Sequence, residues 1–175
     1  MNLREINFDQ AKMPLFVTWY KEVDSKYQLA GCIGTFSADG PDDYLTTMIR
    51  EYSVIAATED ERFEPLIRQD MTKLKVGLSL LTNFSDEPLD DPTDWIVGKH
   101  GVELNITFKG KDYDGTFLPE VAEEEGWDQV ETLCELLEKA EFPGTFEDAI
   151  KKMKITTYES VKTTLTYKEF LEQNP

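Results

Sequence analysis

The chain has 175 residues and a mass of 20.1 kDa, and its 40% hydrophobic content is enough for the core of one domain. Its 18 basic and 35 acidic residues give a net charge of −17, which opposes binding to nucleic-acid phosphates and to anionic lipid surfaces. No apolar run is long enough to span a membrane, and we find no secretory signal. We therefore expect a cytoplasmic or nuclear protein that has neither a nucleic-acid nor a membrane partner.

Residue patterns along the chain predict an alternation of strands and helices. In chain order these are a strand at 14–23, a turn at 24–26, a strand at 29–36, a helix at 42–58, a helical turn at 65–73, a strand at 74–81, a loop at 85–94, a strand at 101–108, a hairpin turn at 109–115, a return strand at 116–118, a helix from 119 to 126, a helix after 128, one or two strands in 154–166 and a terminal helix at 167–172. The elements lack βαβ regularity. They predict an α+β fold with a mainly antiparallel sheet and flanking helices.

Several of these elements carry specific local signals. Two glycines interrupt the strand at 29–36, which indicates a bulge or the close approach of another backbone or a ligand. Asp128 and Glu131 have the spacing of a capping box at the start of a helix. Cys134 lies on the predicted apolar stripe of that helix, so we expect it to be a small core residue.

Cysteine and histidine content excludes several classes of site. Cys32 and Cys134 lie about a hundred positions apart, which does not suggest a disulfide framework and favours a reducing compartment. His100 is the single histidine, so sites built on two or three histidines are excluded. The glycine-rich phosphate-binding motifs and the serine nucleophile elbow are also missing. We therefore predict no metal and no cofactor.

Cys32 and His100 are the residues best suited to chemistry. Small neighbours (Gly31, Gly34 and Thr35) would let a ligand approach the sulfur, and His100 could serve as its base. Glu120, at a predicted helix start, could orient the imidazole. The alternative from spacing alone is that Cys32 is a core cysteine and His100 a hydrogen-bonded structural residue. We expect a small alkylating reagent to modify Cys32 well before Cys134, because glycines flank Cys32 whereas Cys134 lies at a predicted core position.

Two arginines are candidates for binding an anion. Arg50 and Arg62 lie among acidic residues, beside Glu51 and within 60–63 respectively. They could hold an anionic substrate, although salt bridges on the surface are the commoner outcome for such residues.

Read together, the segments resemble the AMMECR-one family, named for a human chromosomal region linked to Alport syndrome, midface hypoplasia and elliptocytosis. The segments that carry the resemblance are GCIGTF at 31–36, REYS at 50–53, DERFEPL at 60–66, LSLLTNF at 78–84, DWIVGKHGVEL at 94–104, LPEVAEEEGWD at 118–128, and the terminal TYES and LTYKEFL. The resemblance runs from about 14 to 171 and implies a single domain of this type over 1–175. It also implies two unequal lobes around a cleft that holds the glycine–cysteine motif.

The family resemblance implies a pathway more than a reaction. In prokaryotes such domains are often encoded near, or fused to, Memo-type and radical-SAM proteins. Cys32, Arg50, Arg62, His100 and Glu120 all fall on motif positions. Two departures stand out: Ala30 replaces the arginine usual before the glycine, and the segment ahead of the first strand is shorter than in relatives. We accordingly expect a shortened N-terminus.

Two functions remain open at this point. The first is an adaptor or pathway component that binds a protein partner through its cleft or its acidic face. The second is an enzyme of unknown reaction in which Cys32 is the nucleophile and His100 the acid or base. The adaptor is favoured because Ala30 removes a cation that would have supported a thiolate. The sequence does not fix the oligomeric state.

Overall fold

In the computed structural model, which describes residues 5–174, the chain folds as mainly antiparallel strands with flanking helices, confirming the predicted fold class. The strands are β1 (Leu15–Val23), β2 (Lys26–Thr35), β3 (Leu74–Thr82), β4 (Gly101–Phe108), β5 (Lys111–Phe117) and β6 (Lys154–Thr166). The helices are α1 (Leu45–Thr58), a 3₁₀ helix (Arg68–Lys73), α2 (Pro119–Glu125), α3 (Gln129–Lys139), α4 (Phe146–Ala149) and α5 (Tyr167–Gln173). Hydrogen bonding gives the strand order β2-β1-β3-β6-β4-β5.

The chain divides into two compact units. The first takes in the chain up to Leu81 and again from Val161, and the second takes in Thr82–Ser160. Strand β6 contributes residues to both units, with the division falling after Ser160. None of the helices described is long and apolar enough to cross a membrane.

The first unit is built on the β1–β2 hairpin and on α1. Asp24 and Ser25 adopt left-handed backbone conformations (φ of 49° and 63°), the geometry that a two-residue hairpin turn requires. The register of the hairpin shifts opposite Trp19 and Tyr20, so that Ala30 is the extra residue of a bulge, as the strand's glycines predicted. The buried residues of this unit are Leu15, Val17, Leu45, Met48, Ala56 and Leu80.

The second unit packs α2, α3 and α4 with β4, β5 and β6. Leu104 and Ile106 of β4 face a core that includes Leu133 and Leu136 of α3. The predicted capping box begins α3: the Glu131 amide donates to Asp128 Oδ1 at 2.8 Å, and the Asp128 amide donates to Glu131 Oε2 at 2.9 Å. These contacts satisfy two amides that the first turn leaves without partners.

Several predicted boundaries differ from the observed ones. Helix α1 begins at Leu45 rather than at residue 42, and the β4–β5 turn consists of Lys109 and Gly110 rather than residues 109–115. Both turn residues have positive φ, so two residues suffice to reverse the chain. Helix α4 was not predicted, because its four residues are too few to show a periodic pattern.

Candidate functional site

Cys32 lies near the middle of β2 in the first unit, and its side chain is half-buried. Its register partner in β1 is Thr18, which is 5% exposed. The Cys32 amide and carbonyl form hydrogen bonds with side chains rather than with the backbone of β1. Thr18 and Cys32 are therefore a non-hydrogen-bonded pair of the antiparallel ladder, in which the side chains lie close together. Accordingly, Thr18 Oγ1 and Cys32 Sγ lie 3.2 Å apart in a hydrogen bond.

An aspartate–arginine pair holds the backbone of Cys32. The Cys32 amide donates to Asp60 Oδ2 at 2.8 Å, and Arg62 Nη2 donates to the Cys32 carbonyl at 3.1 Å. Arg62 also binds the Asp60 carboxylate with two nitrogens, Nε at 2.9 Å and Nη2 at 2.7 Å. Together the two side chains satisfy both backbone polar groups of Cys32, as a neighbouring strand would.

Local packing brings Asp60 to this position. Helix α1 ends at Thr58, and the carbonyl of Ala56 lies so close to Gly31 that a Cβ atom there would overlap it. The glycine thus lets the end of α1 approach β2, confirming the close approach that sequence analysis predicted. Asp60 is 8% exposed, and the hydrogen bonds from Arg62 lower the pKa of its carboxyl to about 2, with a smaller contribution from the Cys32 amide.

The surroundings of Cys32 do not favour its thiolate. Burial raises the pKa of the thiol above its ordinary value. The hydrogen bond with Thr18 and the charges of Arg62 and Lys162 oppose this effect, while the Asp60 charge adds to it. Arg62 is paired with Asp60, so the negative charge of Asp60 partly offsets the effect of the Arg62 charge on the sulfur.

The other predicted residues of the first unit have mainly structural contacts. A Cβ atom at Gly34 would overlap the Leu15 carbonyl and Phe16, so this glycine allows close packing within the hairpin. Thr35 Oγ1 donates to the Ser37 carbonyl and accepts from the Ser37 amide, in a tight local turn. Arg50 lies exposed on α1. Whether these residues bind a ligand stays a prediction.

His100 lies in the second unit, immediately before β4. Its Nδ1 accepts a hydrogen bond from the Ile96 amide at 3.2 Å, and its Nε2 lies 4.0 Å from Glu159 Oε1. Glu159 also accepts a hydrogen bond from Asn83 Nδ2 at 2.8 Å and forms an ion pair with Lys99 Nζ at 3.2 Å. These two partners lower the pKa of the Glu159 carboxyl. With Nδ1 accepting, a neutral His100 carries its proton on Nε2, facing Glu159.

The predicted Cys32–His100 pair stays a prediction, because the two residues belong to different units. Glu120, predicted to orient His100, lies in the first turn of α2, where its charge adds to the effect of burial in raising the pKa of Tyr158. Sequence analysis did not identify Glu159 as an acid facing His100. It also missed Asp60, although its position two residues before Arg62 was a signal for such a pair.

The prediction that Cys134 is a core residue is wrong. Cys134 is exposed, and the buried face of α3 consists of Thr132, Leu133, Leu136 and Leu137. The buried face includes Thr132, whereas the apolar Val130 is 46% exposed, so the predicted apolar stripe through Cys134 is rotated about the helix axis from the face that is buried. Desolvation, and then the charges of Glu135, Asp128 and Glu131, raises the pKa of the Cys134 thiol.

The first unit contains a small apolar cavity. The cavity, of about 190 Å³, lies in the first unit and is lined by Trp19, Met71, Leu74, Val76, Leu165, Thr166, Tyr167 and Phe170. None of the predicted site residues lines it. Among residues 5–174, no three His, Cys, Asp or Glu side chains are grouped so that they could hold a metal ion.

Comparison with known proteins gives consistent matches over most of the chain. The family model described as AMMECR1 matches residues 3–163. An uncharacterized protein of Schizosaccharomyces pombe is 42% identical over 161 residues, covering 91% of this chain and 78% of the relative. An uncharacterized protein of Saccharomyces cerevisiae is 35% identical, covering 93% of this chain and 72% of the relative.

A solved structure also shares this architecture. The crystal structure of an uncharacterized protein from Pyrococcus horikoshii superimposes with a TM-score of 0.73 at 26% sequence identity. The match covers 93% of this chain and 78% of that one. Sequence and fold therefore agree on the group of proteins to which this chain is related.

Proposed function

The chain belongs to the AMMECR1 family, and from this premise we propose that it acts as a non-catalytic adaptor that binds a protein partner in the cytoplasm or nucleus. The net charge of −17 disfavours nucleic acids and anionic membranes as the partner. A protein partner does not require a basic surface on this chain.

The observation that carries the proposal is the way in which the groups around Cys32 are used. A nucleophilic cysteine needs a lowered pKa, which an unpaired cation or a helix N-terminus near the sulfur can provide. Here the bidentate contact with Asp60 engages Arg62, and the pair binds the backbone of Cys32. The pKa of the thiol is raised, chiefly by burial. These contacts favour a structural role for Cys32 at the centre of β2.

The first test is the pH dependence of Cys32 alkylation. Its rate with iodoacetamide, followed site by site by mass spectrometry, gives the pKa of the thiol in the folded protein. The adaptor proposal predicts a pKa above the ordinary value of about 8.5 and no change in His100→Ala. A pKa below about 7 that rises in His100→Ala would overturn the proposal and support the enzyme with a Cys32–His100 pair.

A second test asks whether Cys32 is needed for partner binding. Proteins retained from the native cell by the wild-type chain and by Cys32→Ser would be compared quantitatively. An adaptor keeps the same partner at the same stoichiometry when the sulfur is replaced. Loss of that partner in Cys32→Ser, with unchanged thermal stability, would contradict a purely structural role of the thiol.

A further inference from the structure

Strand register places several polar side chains of the first unit on one face of its strands. Thr18 lies opposite Cys32 in β2 and opposite Gly77 in β3, and Tyr20, two residues along β1, lies opposite Lys75. Directly opposed residues share a face, as do residues two apart in a strand. The side chain of Lys162 in β6 joins this face, since its Cε lies 3.7 Å from the position of a Cβ atom on Gly77. We call this set (Thr18, Tyr20, Cys32, Lys75 and Lys162) the lysine–cysteine face.

Two ammonium groups converge on Tyr20 in this face. Lys75 Nζ lies 4.5 Å from the centre of the Tyr20 ring and 4.5 Å from that of Tyr27. Lys162 Nζ lies 5.8 Å from the centre of the Tyr20 ring and donates a hydrogen bond to the Tyr20 hydroxyl at 3.2 Å. Like charges gathered on one ring repel each other, and a bound anion would relieve that repulsion.

The charge of Lys75 is not offset by an ion pair in the described part of the chain, although the chain as a whole is strongly acidic. No carboxylate among residues 5–174 forms an ion pair with Lys75. Glu22 lies two residues beyond Tyr20, on the same face of β1, and Asp60 is bound by Arg62. Lys162 is exposed and Lys75 is half-buried, so solvent reaches the ammonium groups.

A buried hydroxyl nearby lacks a hydrogen-bond partner. Ser79 is 1% exposed, and its Oγ is unpaired. Ser79 lies two residues beyond Gly77 in β3, on the same face as Lys75, and opposite Phe16. An unsatisfied buried hydroxyl is rare in folded proteins, and this one lies on the strand face that also carries Lys75.

We propose that the lysine–cysteine face binds a small ligand through a carboxylate or phosphate group, with Lys75, Lys162 and the Tyr20 hydroxyl around the anion and the Cys32 thiol beside it. The charge of Lys162 already acts on the sulfur, since it lowers the pKa of Cys32 against the larger effect of burial. This inference goes beyond partner binding and does not depend on whether Cys32 takes part in a reaction.

Two alkylating reagents of different charge test the proposal, and Cys134 serves as the internal control. Iodoacetate is an anion and iodoacetamide is neutral, so the ratio of their rates at one cysteine reports the local preference for a carboxylate. Cys134 is surrounded by Glu131, Glu135 and Asp128, which repel iodoacetate. At low ionic strength we expect the iodoacetate-to-iodoacetamide ratio at Cys32 to exceed that at Cys134 by at least about fivefold.

Charge-removing variants identify the groups responsible. Lys162→Gln and Lys75→Gln should each lower the ratio at Cys32 by about two- to fivefold and leave the ratio at Cys134 unchanged. Lys168→Gln is the matched control, because it makes the same change in net charge at a different place. Lys168 lies on α5, and its side chain is 86% exposed. Far-ultraviolet circular dichroism and the thermal unfolding midpoint, compared with wild type, check that the variants are folded.

Competition with free anions completes the test. Inorganic phosphate and acetate, compared with chloride at the same ionic strength, should slow the reaction of iodoacetate at Cys32. The stronger of the two competitors identifies the group that the face prefers. Equal reagent ratios at the two cysteines, equal effects of Lys162→Gln and Lys168→Gln, or no protection beyond that of chloride would each overturn the proposal.

Discussion

Replacing Asp60 by asparagine tests whether the aspartate–arginine pair stabilises the first unit. The pKa of Asp60 is about 2, compared with an ordinary value of 3.8. One pKa unit corresponds to about 1.4 kcal/mol, so the ionised carboxylate stabilises the folded state by about 2 kcal/mol at neutral pH. Asparagine keeps an oxygen for the Cys32 amide but loses the charge that binds Arg62. We expect Asp60→Asn to lower the free energy of unfolding by about 2 kcal/mol at pH 7.

The loss of stability in Asp60→Asn should depend on pH in a defined direction. Because the pKa of Asp60 is lower in the folded state, its contribution is complete above the unfolded pKa of about 4 and is lost as pH falls toward 2. The difference between wild type and Asp60→Asn should therefore stay constant from pH 7 to pH 5 and shrink from about pH 4 downward. Urea unfolding, followed by circular dichroism at several pH values, measures that difference.

An exposed loop carboxylate provides the control for Asp60→Asn. Asp86→Asn makes the same change in charge in the loop before β4 and should alter stability by less than about 0.5 kcal/mol. If Asp60→Asn destabilised the protein no more than Asp86→Asn, or by the same amount at pH 3 as at pH 7, the stabilising role of the pair would be refuted.

Three further predictions follow from the described contacts. Neutral iodoacetamide should label the exposed Cys134 before the half-buried Cys32, reversing the order expected from sequence, and a timed series read by mass spectrometry would contradict this if Cys32 reacted first. Gly31→Ala should destabilise the protein by about 3 kcal/mol or prevent folding, because its Cβ would overlap the Ala56 carbonyl. Gly115→Ala should be milder in urea unfolding, because the tightest contact of its Cβ would be the movable Leu136 Cδ1 at 3.2 Å, and equal losses would argue against the close approach at Gly31. Asp128→Ala should lower stability by about 1 kcal/mol by removing the cap of α3, and an unchanged melting temperature in calorimetry would show that the cap contributes nothing.

Local chemistry made much of the fold predictable from sequence. Alternating apolar residues located β4, and the spacing of Asp128 and Glu131 located the start of α3, because both signals act within a few residues. The hairpin turn at Lys109 and Gly110 was predicted too long, since Asp112 and Asp114 have polar side chains typical of loops although they belong to β5.

The candidate site was less predictable because its contacts join distant residues. Asp60 is hydrogen-bonded to Cys32, which lies 28 positions away in sequence, and Glu159 to Asn83, which lies 76 positions away. No local sequence pattern predicts either contact. The face of α3 was misjudged because a threonine is buried there while a valine and a cysteine are exposed. Apolar residues at helical spacing predict that a helix forms more reliably than they predict which of its faces is buried.

The contacts at Cys32 also bear on how this chain avoids aggregation. Strand β2 stands at one end of the strand order, where outward-pointing amides and carbonyls can template the addition of a strand from another molecule. Asp60 and Arg62 occupy the outward amide and carbonyl of Cys32, and the bulge at Ala30 interrupts the regular spacing that an incoming strand would need. These contacts therefore block intermolecular strand pairing at the middle of β2, so variants that break the Asp60–Arg62 pair should form β-rich aggregates more readily than wild type.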